Sequence, residues 1–330
     1  MMQHTPAPPR SQRGVALITA LVIVSLASIT AIAMTEKMQI STRRTANVLH
    51  ADQRYFLTLG SEAWAKGQLI RDKEEDAKHD KYDGLDEDWA KELPATAIDV
   101  GQIEAKIIDL QARFNLNNLY LEAEANEDSK TEFARQLAYF KRLLQALGLE
   151  PGIAQAVADW IDADINPSFP DGAEDNEYLG REPPYRTPNS QMASVTELRL
   201  IAGVTPEIYD KLEPYVTTLP TASKLNVNTA DPILLGALSD NLDESSSKSL
   251  SEGRKEDPFT TIKAFKDRLK SILGDNNNQL EEIASLVDVS SHYFLLKTTV
   301  SMDTSSQTLQ TIFTRDDQGT RVLQRAIGLF

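Results

Sequence analysis

Cysteine is absent from the 330-residue chain, which excludes disulfides, thiolate nucleophiles, iron–sulfur ligation and cysteine-type zinc sites together. The absence leaves the compartment open, an oxidising one included. Histidine is nearly as scarce: His4, His50, His79 and His292 lie far apart in sequence, so no histidine-rich metal centre is expected. Positive charge is also in short supply. Lys plus Arg number 34 against 49 Asp plus Glu, a formal net charge of −15. Nucleic-acid affinity comes largely from Lys and Arg displacing counterions, so this surface suits solubility or cation binding instead. The G-x-S-x-G, P-loop and H-E-x-x-H templates of catalysis are missing too. With 41% hydrophobic and 25% charged residues, the composition is otherwise that of a folded protein, and the length corresponds to roughly two domains.

Charge is missing altogether from Val15 to Met34, a run of 20 residues reading VALITALVIVSLASITAIAM. As a helix it spans a hydrocarbon core of roughly 30 Å. Arg10 and Arg13 precede it with no acidic residue before Glu36, which favours a cytoplasmic short end and an exported remainder. Two processing readings compete. A secretory signal peptidase would cut after the run, where Ala31-Ile-Ala33 is a passable site; the other cut precedes it, between Gly14 and Val15. Residues 35–71 favour the second, having no proline and only two glycines. Val48, Tyr55, Leu59, Ala63 and Ile70 there form one stripe of an amphipathic helix. The spacing therefore predicts one helix from Val15 to Arg71, roughly 85 Å long at the standard rise.

A charged loop is expected from Asp72 to Asp88. Ile98–Phe114 reads as a strand or bent hairpin partner, with Ile103, Ala105, Ile107 and Leu110 facing inward. Tyr293–Met302, Thr308–Arg315 and Arg321–Leu329 read as three terminal strands separated by turns at 303–306 and 316–319. Between these strand regions, residues 116–288 read as helices at 130–147, 151–163, 194–202, 205–216, 229–238, 258–273 and 279–287. That block holds 30 acidic and 16 basic residues, nearly all of the net charge. Ser239–Asp257, rich in Ser, Asp and Glu, is expected to be a mobile loop.

Asp159–Glu177 (DWIDADINPSFPDGAEDNE) carries seven carboxylates and no Lys or Arg. Hard oxygen ligands without nitrogen or sulfur point to calcium; a solvated acidic loop, a zinc site and a catalytic carboxylate pair are the alternatives. A regular EF-hand is rejected, because Pro167 and Ala173 stand where such a loop needs Gly and Glu. Glu197–Leu212 and Leu225–Leu235 have traces of helix-hairpin-helix patterning. Residues 197–231 hold five acidic and three basic residues, which favours a structural use over DNA binding. A membrane-anchored DNA-binding or DNA-uptake protein is the rival reading, and a calcium-dependent hydrolase a third.

A short basic leader ending in Gly before a hydrophobic helix resembles type IV pilins and pseudopilins. Most of that class carry Glu at the fifth mature position, whereas this chain has Thr19; an uncompensated carboxylate in lipid is costly, and a subunit with no neighbour above it has no use for one. Gly14-Val-Ala-Leu-Ile-Thr-Ala-Leu, Arg113-Phe-Asn-Leu-Asn-Asn-Leu119, Asp159-Trp-Ile-Asp-Ala-Asp164, Gly172-Ala-Glu-Asp175, Pro183-Pro-Tyr185 and Asn226-Val-Asn-Thr-Ala230 together resemble the protein K family of type II (general) secretion, its large minor pseudopilins. The resemblance covers essentially the whole chain. It implies an α+β fold, a pilin-like long helix packed on an antiparallel sheet with a large all-α domain inserted between strands. The domains would be a leader (1–14), the helix (15–71, with 15–34 in the inner membrane), a first part of the core (72–115), the insert (116–288) and terminal strands (289–330). It also implies a non-enzymatic tip subunit that initiates and caps a periplasmic pseudopilus. Minor pseudopilins I and J, further pseudopilins and a prepilin peptidase acting at Gly14/Val15 would be its partners, with secreted substrate or the secretin as further contacts and no nucleic acid. The resemblance carries calcium to Asp162, Asp164, Asp171, Glu174 and Asp175, with Asp159 beside them.

Overall fold

The computed structural model describes residues 12–76, 81–98, 101–122, 124–302 and 305–328. The chain divides into two units at Phe56/Leu57, and helix α1 (Gln12–Asp76) contributes to both. In the first unit every described residue from Gly14 to Thr45 is exposed, apolar ones included. The hydroxyls of Thr19, Ser25, Ser28, Thr30 and Thr35 each donate to the carbonyl four residues back, at 2.8–3.0 Å. The few polar groups of the apolar run are thus satisfied within the helix, as a lipid environment requires. The Gly14–Val15 bond lies in the first turn of α1; most of the leader lies outside the described residues.

The second unit is built on an antiparallel sheet of order β1 (Leu93–Ile98), β2 (Gly101–Asp109), β7 (Tyr293–Met302), β8 (Ser305–Asp316) and β9 (Gly319–Ile327). The three terminal strands overlap the segments expected from composition and turns, with β8 starting at Ser305, inside the expected 303–306 turn, and β9 at Gly319. Leu329 and the turn residues 303–304 lie outside the described residues. The sequence 98–114 is the second arm of a hairpin rather than a lone strand, and it buries Ala105, Ile107 and Leu110.

The sheet packs against α1, but on a different face from the expected stripe. Val48, Tyr55, Ala63 and Ile70 stay exposed, while Thr58, Ser61, Ala65, Leu69 and Asp72 are buried. The physical reason is close approach: small side chains let the backbone come near, and the Ser61 and Thr298 hydroxyls then share a hydrogen bond of 2.8 Å. Ala65 and Leu69 join Trp89, Ile107, Phe294, Leu296 and Phe313 in a small core, with Trp89 edge-on to Phe294 at 5.1 Å.

Between β2 and β7 runs a helical segment with a larger core of its own. Its helices are α2 (Glu127–Ala146), α3 (Ile153–Ile161), α4 (Asp175–Tyr178), α5 (Pro206–Leu212), α6 (Pro232–Gly236), α7 (Glu244–Glu256), α8 (Ile262–Leu273) and α9 (Asn277–Leu286). Two short parallel strand pairs close it: β3 (Phe114–Asn115) with β4 (Val216–Thr217), and β5 (Leu225–Asn226) with β6 (Val287–Asp288). Each pair is followed by the same device. Asn117 donates through its amide to Met192 and Leu219 carbonyls at 3.0 Å and accepts from Met192 N–H at 2.8 Å. Asn228 does the same with Phe259, donating and accepting at 2.9 Å. A buried asparagine clamping distant backbone in this way satisfies main-chain groups that no ladder reaches.

One sequence expectation fails here. Ser239–Asp257 is not a loop: Glu244–Glu256 is helix α7, capped by Asp243, which accepts from Ser246 N–H at 2.7 Å. It buries Ser247, Leu250, Ser251 and Arg254, and the Arg254 guanidinium donates to the carbonyls of Val227 and Ala230. The buried face holds a single aliphatic residue, so composition hid a helical pattern that hydrogen bonding completes.

Candidate metal centre

Helix α3 (IAQAVADWI) is Ala-rich and buried along all nine residues. That burial fixes Asp159, which is wholly inaccessible, and Asp162, whose extended backbone ends the helix. Both sit at the negative end of the helix dipole, an unfavourable place for a carboxylate. The acidic loop then folds back onto its own helix. Ser168 N–H donates to Asp159 Oδ2 at 2.9 Å, and Gln155 Nε2 donates to the Phe169 carbonyl at 2.8 Å. Gly172 passes so close that a Cβ would stand 2.1 Å from Asp159 Oδ2, so only glycine fits.

This folding brings carboxylate oxygens of Asp162, Asp164 and Glu174 within 4.8 Å of one another. Asp159 is outside this group of three but adds its charge to the field around Asp162 and Glu174. Burial, followed by repulsion from Asp164 and Asp159, pushes Asp162 up to about 7; burial also raises Asp159 and Glu174. Three buried oxygens here have no hydrogen-bond partner: Asp159 Oδ1, Glu174 Oε1 and Asn189 Oδ1. Asn189 is the residue that sequence reading misses. It adopts a left-handed φ of 45°, which asparagine tolerates, and donates its amide to the Asp164 carbonyl at 2.6 Å. Twenty-five residues separate it from Asp164, and no local pattern links them.

The remaining two candidates are placed differently. Asp175 has both oxygens engaged, with Thr187 N–H at 3.1 Å and the Arg186 guanidinium at 3.1 Å. Asp171 packs its carboxylate against Gly152, beside the start of α3. A second acidic group, Asp72, Asp76 and Asp83, holds a cation of the chain itself: Arg315 pairs with Asp72 and Asp83. The cluster around Asp162 has oxygen donors of carboxylate and amide type and no such cation among the described residues. Orphaned buried oxygens beside crowded carboxylates are what a hard divalent cation with six to eight oxygen ligands accepts.

The helix-hairpin-helix trace serves packing. Gly203 turns the chain with φ of 80°, Leu198, Ile201, Tyr209 and Leu212 are buried in the insert's core, and Arg199 stacks on the Tyr209 ring at 4.1 Å.

Residues 112–221 and 225–284 match the sequence families described as type II secretion system (T2SS), protein K. The chain is 33% identical to the type II secretion system protein K of Pseudomonas aeruginosa PAO1, over 97% of this chain and 94% of that one. The chain belongs to the type II secretion system protein K family. It is also 29% identical to the protein K of Aeromonas hydrophila, over 97% of this chain and 98% of that protein. The protein K of Klebsiella pneumoniae is 37% identical over 69% of this chain and 70% of its own length. Among solved structures, the GspK-GspI-GspJ complex from the type 2 secretion system of enterotoxigenic Escherichia coli contains a chain of the same fold. Its TM-score is 0.69, with 24% identity over 85% of this chain and 99% of that one. The boundary between the two family matches falls between β4 and β5, where one asparagine-clamped strand pair ends and the next begins. Membership of the protein K family makes this chain a protein-transport component with a minor-pseudopilin role.

Proposed function

We propose that this protein K-family chain is the tip subunit of a type II secretion pseudopilus. Val15–Met34 crosses the inner membrane, the remainder lies in the periplasm, and a prepilin peptidase cuts between Gly14 and Val15 before the new amino terminus is methylated. The observation that carries this reading is the apolar half of α1. Its side chains are exposed, its hydroxyls are bonded back to its own carbonyls, and it continues as helix into the part that packs on the sheet. Such a segment is exposed among the described residues and suits lipid first, then lateral packing with other pseudopilin helices.

Thr19, at the fifth mature position, donates to the Val15 carbonyl at 3.0 Å. It therefore places no charge in lipid that a neighbour's amino terminus would have to neutralise, which suits a subunit with nothing above it. The partners in this reading are minor pseudopilins I and J, the companions of the solved relative of like fold. The insert between β2 and β7 caps the filament once these subunits have initiated it, and secreted substrate or the secretin meets the tip. Calcium fills the site formed by Asp159, Asp162, Asp164 and Glu174, and its role is structural, holding the acidic loop. The chain acts by assembly, not by catalysis.

Coexpression with a prepilin peptidase, followed by mass spectrometry of the intact product, tests the central step. The expected amino terminus is methylated Val15, and Gly14→Ala leaves the leader attached. A product beginning at Met34 removes the helix and the filament role with it.

A further inference from the structure

A groove of about 680 Å³ opens between the outward face of the sheet and the insert. Its floor is built by cross-strand register: Ile108 lies beside Leu295, and Leu295 beside Ile312, an apolar shelf on three neighbouring strands. Lys297, two residues along β7 from Leu295, lies on the same side of the sheet. The facing wall carries Arg113, which follows the turn after β2, and Arg199, stacked on Tyr209.

Arg113 is the informative residue. It is half-buried, yet among the described residues its guanidinium has no hydrogen-bond or ion-pair partner. Burial pushes its pKa down, and Glu213 is the one charge that opposes this, from beyond ion-pair distance. Arg199 and Lys297 also have no carboxylate within ion-pair distance among the described residues. A half-buried guanidinium on a groove wall, partly stripped of water and without a protein acceptor, leaves its five fixed donors for a ligand. Planar carboxylate is the acceptor that its fork matches. A polyphosphate backbone fits poorly, because Asp210 and Glu213 share the wall and the chain carries a net −15. The shelf beside the cations suits an aliphatic side chain, and the volume is within the range of ligand sites.

We infer that this groove binds an extended peptide segment bearing a carboxylate, held by Arg113 and Lys297, with a neighbouring apolar side chain on Ile108, Leu295 and Ile312. The site goes beyond the filament role proposed above and depends on neither cleavage at Gly14 nor calcium. It is tested with the full chain in detergent micelles on an array of random octapeptides, each present in a carboxylate form and a matched amide form. The expected result is binding of a subset of carboxylate forms, weakened at least about tenfold in their amide partners and in Arg113→Gln. Lys297→Gln, on the half-exposed sheet face, weakens the same subset and guards against a folding defect at Arg113. The inference is overturned if no octapeptide binds, if amide forms bind equally well, or if both variants keep wild-type affinity. It is equally overturned if inorganic phosphate competes at millimolar concentration for the Arg113-dependent signal.

Discussion

At the scale of single residues, the acidic loop turns on a few oxygen atoms. Seven carboxylates without a Lys or Arg between Asp159 and Glu177 already mark the segment, because like charges that close are unfavourable unless neutralised. The sequence does not say which of them converge. Asp162, Asp164 and Glu174 do, whereas Asp175 is held by Thr187 and Arg186, and Asn189 enters from outside the run. Calcium is expected to raise the melting temperature of the full chain, by the equivalent of about 2.7 kcal/mol at a hundredfold excess over Kd. Asp162→Ala combined with Glu174→Ala is expected to abolish that gain while leaving the melting temperature in chelator little changed. An undiminished calcium response in the double variant would remove the site.

At the scale of elements, the strands are readable because period-two alternation is a local property, and β7, with its strict alternation of half-buried and buried residues, is the clearest case. Helix α7 is the opposite case. Its buried positions are serine, leucine, serine and arginine, three of them polar, so hydropathy scarcely marks the face, and the Arg254 guanidinium is held by backbone carbonyls of Val227 and Ala230. Leu250 is the one large apolar group it buries completely. Leu250→Ala is therefore expected to destabilise the folded chain by about 2–5 kcal/mol, measured by denaturant unfolding. A loss below about 0.5 kcal/mol, as at a surface position, would mean that Ser239–Asp257 is the loose segment its composition suggests.

Within the second unit as a whole, one buried network joins helix, sheet and insert. Arg315 of β8 pairs with Asp72 of α1 and with Asp83, and Asn226 of β5 donates to Asp109 of β2 at 3.0 Å and to Ser291 at 2.9 Å. Its carboxylates outnumber its cation, and the shifts follow. Burial pushes Asp72 up to about 7 and Asp109 to about 6, and it raises Asp83 as well. A carboxyl held above its unfolded value binds a proton in the folded state that the unfolded chain has already released. Stability from this network should therefore fall as pH rises from about 4 towards 7 and level off above that window. Thermal unfolding between pH 5 and 8 should show this decline, and Asp72→Asn should flatten it. A melting temperature that climbs across the same range would contradict the assignment.

What the sequence determined alone is whatever a short stretch specifies through its own periodicity or charge: the apolar helix that begins the chain, the acidic loop, the terminal strands and the helical character of the middle. The tertiary structure decided which face of α1 meets the sheet, how the two asparagine clamps close the insert, that Asn189 joins the carboxylates, and that Arg315 lies between Asp72 and Asp83. These arrangements pair residues tens to hundreds of positions apart, and their free energy exists only once the intervening chain has been ordered. No local window of the sequence holds the information that fixes them.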